Sequence, residues 1–175
     1  MRDFHVFIEQ QGEQIFVGKI TGSGSEEAVF SYAQEYLDNP SSCPISIHLP
    51  LQEQNFSAEE TRFFFEGLLP EGFTRKCVAG WIHADEYDYL TILAALGREC
   101  LGAIQIIEDG MDVPKVSYQK LTKEDVCRLA KAGASEAAEL VTKAHLSLTG
   151  ASGKVGLYYK IDTNEWYLPI GAAPS

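Results

Sequence analysis

Near its start the chain reads Phe4-His-Val-Phe-Ile-Glu-Gln-Gln-Gly-Glu-Gln-Ile-Phe-Val-Gly-Lys-Ile20. Residues 4–9 and 14–20 are rich in β-branched and aromatic side chains, which favour strands, and the polar residues 10–13 between them are typical of a turn. A third run of this kind, residues 28–32, follows a Gly/Ser turn at 22–25. The pattern predicts a small antiparallel sheet.

After the predicted sheet, apolar residues recur at the spacing of a helix. Ser57 is a suitable N-cap with Glu60 three residues later, an arrangement typical of a capping box. Further helices are predicted over 73–82 and 86–96, with Gly97 as the C-terminal cap. The apolar face of the first helix, which Pro70 ends, consists of Phe64, Phe65, Leu68 and Leu69.

Two more strands and a linker complete the first part of the chain. Residues 44–49 alternate apolar and polar side chains and predict a half-buried strand, and residues 101–107 predict another. A brief helical turn is expected at residues 36–37. Residues 108–120 are polar and interrupted by Gly and Pro, so they are the best linker candidate and indicate a domain boundary near 110–120.

The second part combines two short helices with a glycine-rich loop. Thr122 is a good cap for a helix through Lys131, and residues 136–143 favour another. The loop is Ser147-Leu-Thr-Gly-Ala-Ser-Gly-Lys154. A hairpin is expected after it, with strands at 155–161 and 165–170 and a turn at 162–164.

Composition and cysteine spacing exclude several classes of protein. The chain has 175 residues, 45% of them hydrophobic, without a run of about 20 apolar residues or a secretory signal, so we expect a cytoplasmic protein without membrane contact. The four cysteines and four histidines are scattered and have no paired spacing. We therefore expect no metal site and no disulfide framework.

Negative charge is concentrated in the first half. The net charge is −11, and residues 1–72 hold twelve Asp/Glu against three Lys/Arg. Such a surface repels phosphate backbones, so we expect no direct nucleic-acid binding. Two interpretations remain open: a surface that keeps the protein soluble, and a docking face for a basic partner.

The glycine-rich loop allows two interpretations as well. Glycines let successive backbone N–H groups point into one concavity, where they favour an anion. A Walker A loop, however, needs a glycine and a hydroxyl where this chain has Leu148 and Val155. From the residues alone, the loop is either a phosphate site of another kind or a plain turn.

Five blocks in order resemble the HipA family of serine/threonine kinases, the toxins of bacterial toxin–antitoxin pairs. The blocks "LLPEG" and "LGRECLGAI" are the most specific of them. All five cover nearly the whole chain: Phe30-Ser-Tyr32 with Tyr36-Leu37, Pro44-Ile-Ser-Ile-His-Leu-Pro-Leu51, Phe64-Phe-Glu-Gly-Leu-Leu-Pro-Glu-Gly72, Leu96-Gly-Arg-Glu-Cys-Leu-Gly-Ala-Ile104 and Ser147-Leu-Thr-Gly-Ala-Ser-Gly-Lys154.

The resemblance implies an α+β fold: a small antiparallel β-sheet or barrel with packed helices, followed by a partial kinase N-lobe with a glycine-rich loop and β-hairpin. Residues 1–110 would be the HipA-like N-terminal subdomain. Residues 111–175 would be a linker helix and an incomplete kinase N-lobe. Arg98-Glu99 would belong to the scaffold or face the kinase core.

The resemblance also implies which residues bind the nucleotide. Gly150, Ala151, Ser152, Gly153 and Lys154 would hold the β- and γ-phosphates of ATP through backbone amides. The family usually has Gln and an acidic residue where this chain has Ser152 and Gly153, so fewer side-chain contacts are expected. Ser147 matches the serine that these kinases autophosphorylate, and Thr149 is a second hydroxyl of the same kind.

The family's nucleotide lysine, catalytic aspartate and metal-binding aspartate have no match in this sequence. We therefore expect no catalytic residues here, a chain inactive alone, and ATP and Mg only in the complete kinase. The implied partners are a helix-turn-helix antitoxin or the kinase C-terminal lobe, and the implied substrate is an aminoacyl-tRNA synthetase. Three origins of such a chain remain open, namely truncation, which is favoured, an early gene end, and a split binding subunit. An unrelated α+β domain remains an alternative to the family itself.

Overall fold

The protein is described by a computed structural model that covers residues 2–10, 13–97, 103–112, 117–131 and 156–170. Its first sheet has four strands in the order β3-β2-β1-β4, and every neighbouring pair is antiparallel. The predicted hairpin and third strand are confirmed. The strands are β1 (Arg2–Gln10), β2 (Glu13–Gly22), β3 (Val29–Tyr32) and β4 (Ile104–Glu108).

Four helices in the described ranges accompany this sheet, and two of them begin with a side-chain cap, at Ser57 and Asp88. The Ser57 hydroxyl accepts a hydrogen bond from the Glu60 N–H at 3.2 Å, and the Glu60 carboxylate accepts one from the Ser57 N–H at 2.8 Å. The predicted capping box is confirmed. Asp88 caps the last helix, which therefore begins three residues later than predicted. The helices are α1 (Gln34–Leu37), α2 (Ala58–Gly67), α3 (Gly72–Trp81) and α4 (Tyr89–Leu96).

The core lies between one face of the sheet and these helices. Phe30 of β3 is fully buried, and its ring centroid is 5.4 Å from that of Phe65 on α2. Each such aromatic side chain contributes about 1.5–3 kcal/mol by leaving water. The predicted apolar face of α2 is thereby confirmed. Fully buried core residues include Phe4, Val6, Val17, Ile20, Ile92, Leu93 and Leu96.

The contact between α4 and β4 depends on Gly97. Its φ of −67° is open to any residue, but a Cβ there would lie 2.9 Å from the Cβ of Ile106. The predicted C-terminal cap is confirmed, and close packing is the reason for the glycine.

Residues 44–49 do not form the predicted strand. They form a turn with one isolated bridge between Ser46 and Leu49. The Tyr32 hydroxyl donates to the Leu49 carbonyl at 2.5 Å and accepts from the Ile45 N–H at 3.1 Å. Burial raises the pKa of Tyr32 to about 12. A buried side chain thus satisfies backbone groups that a neighbouring strand would otherwise pair.

A second sheet follows, with the order β5-β7-β6 and antiparallel pairs. Its strands are β5 (Ser117–Leu121), β6 (Tyr158–Lys160) and β7 (Glu165–Ile170). The predicted hairpin is confirmed, and Asn164 in its turn has a φ of 54°. Residues 117–120, predicted as linker, belong to β5, because β7 supplies a strand for them to pair with.

Helix α5 (Lys123–Lys131) packs on this sheet. The Thr122 hydroxyl accepts from the Asp125 N–H at 3.1 Å, which confirms the predicted cap. Leu121 and Leu168 are buried beneath Val126 and Leu129. The predicted helix at 136–143 and the residues Gly102 and Arg98-Glu99 lie outside the described residues. The division at residue 110 stays a prediction.

Candidate functional site

The predicted phosphate loop lies outside the described residues. This holds for Gly150, Ala151, Ser152, Gly153 and Lys154, and equally for the hydroxyl-bearing residues Ser147 and Thr149. The described chain resumes at Gly156, two residues after the loop. In this part of the chain the structure describes the second sheet, to which the hairpin after the loop belongs.

One face of that sheet is aromatic. Tyr118 and Tyr158 have ring centroids 5.1 Å apart, and Tyr167 lies 6.2 Å from Tyr158. Side chains alternate along a strand, so these tyrosines lie on the face opposite the one that carries Leu121 and Leu168. Sequence reasoning missed this face, although the alternation within the predicted hairpin could have indicated it.

An ion pair joins the two longer strands of the sheet. The Lys120 ammonium donates to the Glu165 carboxylate, and the Tyr167 hydroxyl donates to the same carboxylate at 2.8 Å. Hydrogen bonds from Lys120, Thr163 and Tyr167 lower the pKa of Glu165 to about 2. Lys120 is thus paired with a carboxylate of its own sheet.

A second charged cluster lies in the first part of the chain. The Arg62 Nε donates to Glu66 at 2.7 Å, and Arg75 Nη2 lies 2.7 Å from the other oxygen of that carboxylate. Burial raises the pKa of Glu66, but the hydrogen bonds from Arg62 and Arg75 outweigh it and hold the pKa below its usual value. Arg75 also donates to the Glu86 carbonyl at 2.6 Å. The cluster ties α2 to α3 and the following loop.

Apolar side chains are exposed where the 44–49 turn meets α2. Ile47 is 88% exposed and Phe63 is 67% exposed. The rings of His48 and Phe63 are 5.3 Å apart, edge to face. We call Ile47, His48 and Phe63 the Ile47–Phe63 patch. The sequence had predicted Ile47 on the inner face of a strand, and the turn places it outside instead.

Metal-binding groups and membrane-spanning helices are both absent from the described residues. Within them, no group of three or more His, Cys, Asp and Glu side chains could hold a metal ion. None of the helices in the described ranges is long and apolar enough to cross a membrane. The thiols of Cys43, Cys77 and Cys127 are free.

The fold and sequence together match a known family. The family of the HipA N-terminal domain matches residues 10–107, which is more than half of the chain. The chain belongs to the HipA family. The resemblance drawn from the five sequence blocks is thereby confirmed, and the α+β architecture agrees with it.

Two curated relatives differ in length. A Sinorhizobium fredii protein named "Putative kinase Y4mE" is 30% identical over 150 residues, which are 81% of this HipA-family chain and 35% of that protein. The chain thus spans about a third of this relative. A Haemophilus influenzae protein named only as uncharacterized is 31% identical over 80 residues, 46% of this chain and 72% of that protein, which is therefore about 110 residues long.

A solved structure has the same fold. It is the Shewanella oneidensis MR-1 toxin–antitoxin system of HipA, HipB and operator DNA, with a TM-score of 0.69 and 17% identity. The match covers 97% of this chain and 39% of the solved chain. Because that complex contains DNA, the prediction of no direct nucleic-acid contact gains no support from it.

Proposed function

We propose that this chain is the N-terminal portion of a HipA-like serine/threonine protein kinase of a toxin–antitoxin pair. The observation that carries the proposal is the alignment with a protein named as a kinase, which spans most of this chain and about a third of that relative. The chain contributes the scaffold and part of the ATP-phosphate loop. It is inactive alone because the catalytic lobe supplies the groups that transfer phosphate.

In this proposal Gly150, Ala151, Ser152, Gly153 and Lys154 hold the phosphates of ATP, and Mg binds only in the complete kinase. The order of elements supports it, since an antiparallel hairpin follows the loop in sequence. Backbone amides of these loop residues bind the anion in this proposal.

Autophosphorylation regulates this loop in the same proposal. Ser147, with Thr149 as a second candidate, lies directly before the glycines. A phosphate there adds about two negative charges beside the bound ATP phosphates, and the repulsion displaces the loop. The substrate of the complete kinase would be an aminoacyl-tRNA synthetase, and the protein would be cytoplasmic.

A second candidate function is that of a non-catalytic binding subunit in a split HipA-like system. The Haemophilus influenzae relative favours it, because a chain of about 110 residues has room for little more than this N-terminal unit. The subunit would dock a separate kinase chain or a helix-turn-helix antitoxin. The acidic first half favours a basic protein partner over DNA.

Phosphoryl transfer from radiolabelled ATP tests the proposal on this chain joined to, or mixed with, its catalytic lobe. Gly150→Asp places a carboxylate in the loop and should abolish transfer. Gly24→Asp is the matched control, because a Cβ at Gly24 meets no atom within 4 Å, and it should leave activity unchanged. Equal activity of the two variants would contradict a phosphate-binding role of the loop. Transfer only after a separately encoded lobe is added would favour the split system.

A further inference from the structure

The Ile47–Phe63 patch combines strong exposure with a fixed geometry. The 44–49 turn that carries Ile47 and His48 is held by the buried hydroxyl of Tyr32. Phe63 projects from the outer side of α2, whose opposite side buries Phe65 in the core. Two large apolar side chains are thus held in water on rigid elements. Such anchors are typical of binding surfaces, where burial of one or two side chains supplies most of the energy.

The segment of the chain that carries Ile47 and His48 is acidic. From residue 20 to residue 61 there are seven Asp/Glu and no Lys or Arg. Glu59 lies one helical turn before Phe63 and is exposed on the same side of α2. Arg62, the first cation after this stretch, is paired with Glu66 and Glu26. The net charge of residues 20–61 is thus −7, and a surface of this sign attracts cations.

We propose that the Ile47–Phe63 patch docks a basic amphipathic segment of a protein partner, with apolar side chains of that segment on Ile47 and Phe63 and its Lys or Arg side chains facing Glu59 and the neighbouring acidic residues. Negative charge argues against nucleic acid or an anionic membrane as the occupant. The inference rests on the binding role proposed above and adds to it the surface and the chemistry of the partner.

A defined peptide tests this surface. The probe is a fluorescent helical peptide of about five turns with Leu on one face and Lys on the other, and its control has Glu in place of Lys. Fluorescence anisotropy gives the Kd for the wild-type chain and for Ile47→Ser, Phe63→Ser and Glu59→Gln. Ile161→Ser is the matched control, because Ile161 is 81% exposed in the hairpin turn of the second sheet.

We expect the Lys peptide to bind the wild-type chain and Ile161→Ser equally. Ile47→Ser and Phe63→Ser should each raise the Kd about tenfold, and Glu59→Gln about twofold. Higher salt should weaken binding, and circular dichroism should show every variant folded. Both serine variants alter exposed side chains, so loss of folding is not expected to interfere.

Three results would overturn the inference. The first is an equal Kd for Ile47→Ser and Ile161→Ser, and the second is equal binding of the Glu peptide. The third is self-association of the wild-type chain that Ile47→Ser abolishes in light scattering, because the patch would then bind a second copy. Failure here is distinguishable from failure of the kinase proposal, since the phosphoryl-transfer assay contains no peptide and leaves the patch unchanged.

Discussion

The guanidinium of Arg75 on α3 lies 2.7 Å from the carboxylate of Glu66 on α2, and the Arg75 side chain is only 14% exposed. Arg62 contacts the same carboxylate from within α2. Glu66 thus joins two helices that the intervening segment, with Pro70, separates. Sequence alone predicted core and helix-stop roles for the apolar residues around Glu66 and no role for Glu66 itself.

Replacement of Arg75 should therefore destabilise the first part of the chain. Arg75→Met removes a largely buried partner of Glu66 and the donor to the Glu86 carbonyl, so we expect a loss of about 1–3 kcal/mol in the free energy of unfolding. Lys76→Met is the matched control. Lys76 is 64% exposed and 3.9 Å from Glu86, and such pairs contribute about 0–1 kcal/mol. Urea unfolding of both variants measures the difference. Equal losses of stability would contradict the stabilising role of the contact between Arg75 and Glu66.

Gly97 should not tolerate even a methyl group. Gly97→Ala places a Cβ 2.9 Å from that of the buried Ile106, so α4 and β4 must separate at a cost of about 1–3 kcal/mol. Gly80→Ala in α3 is the control, because a Cβ there meets no atom within 4 Å and the helix gains about 0.5–1 kcal/mol. In thermal unfolding, the Tm should be lower than wild type for Gly97→Ala and higher for Gly80→Ala. The same sign for both would refute the packing argument.

Tyr32 should hold the turn that displays Ile47. Tyr32→Phe removes the acceptor for the Ile45 N–H and the donor to the Leu49 carbonyl, and should cost about 1–3 kcal/mol. Amide hydrogen exchange should accelerate at Ile45. Tyr87→Phe, at a 71% exposed tyrosine, should change neither quantity. Unchanged protection of Ile45 in the first variant would show that the turn has another support.

The second sheet should lose stability in acid. The pKa of Glu165 is lowered from 4.5 to about 2 in the folded sheet, so the pair with Lys120 is fully stabilising above pH 4.5. Its contribution is lost progressively as the pH falls from 4.5 towards 2, since the unfolded chain then binds the proton more tightly. Trp166 fluorescence in a Trp81→Phe background should report this transition. In Glu165→Gln the loss of stability between pH 4.5 and 2 should be smaller. An unchanged loss would show that other carboxylates cause it.

Sequence alone predicted the elements whose signals are local. The Ser57–Glu60 box and the Thr122 cap each lie within four residues, and the hairpin turn at 162–164 is equally compact. The error at residues 44–49 has a different cause. Their conformation depends on the hydroxyl of Tyr32, more than ten residues earlier, and alternation of side chains does not contain that information.

Long-range pairing also explains the misassigned linker. Residues 117–120 are polar and look like a connection until β7, about 50 residues later, pairs with them. For the site, the sequence alone supplied the loop residues 147–154, which stay a prediction. It missed the Ile47–Phe63 patch, because exposure of an isoleucine follows from tertiary structure.

Calorimetric titration with ATP and Mg tests the central claim most directly, on this 175-residue chain and on the chain combined with its catalytic lobe. Heat of binding is expected only for the combined form, because in the proposed function this chain holds only one side of the nucleotide site. Binding of equal affinity by the chain alone would contradict that claim, and so would the absence of binding in both forms.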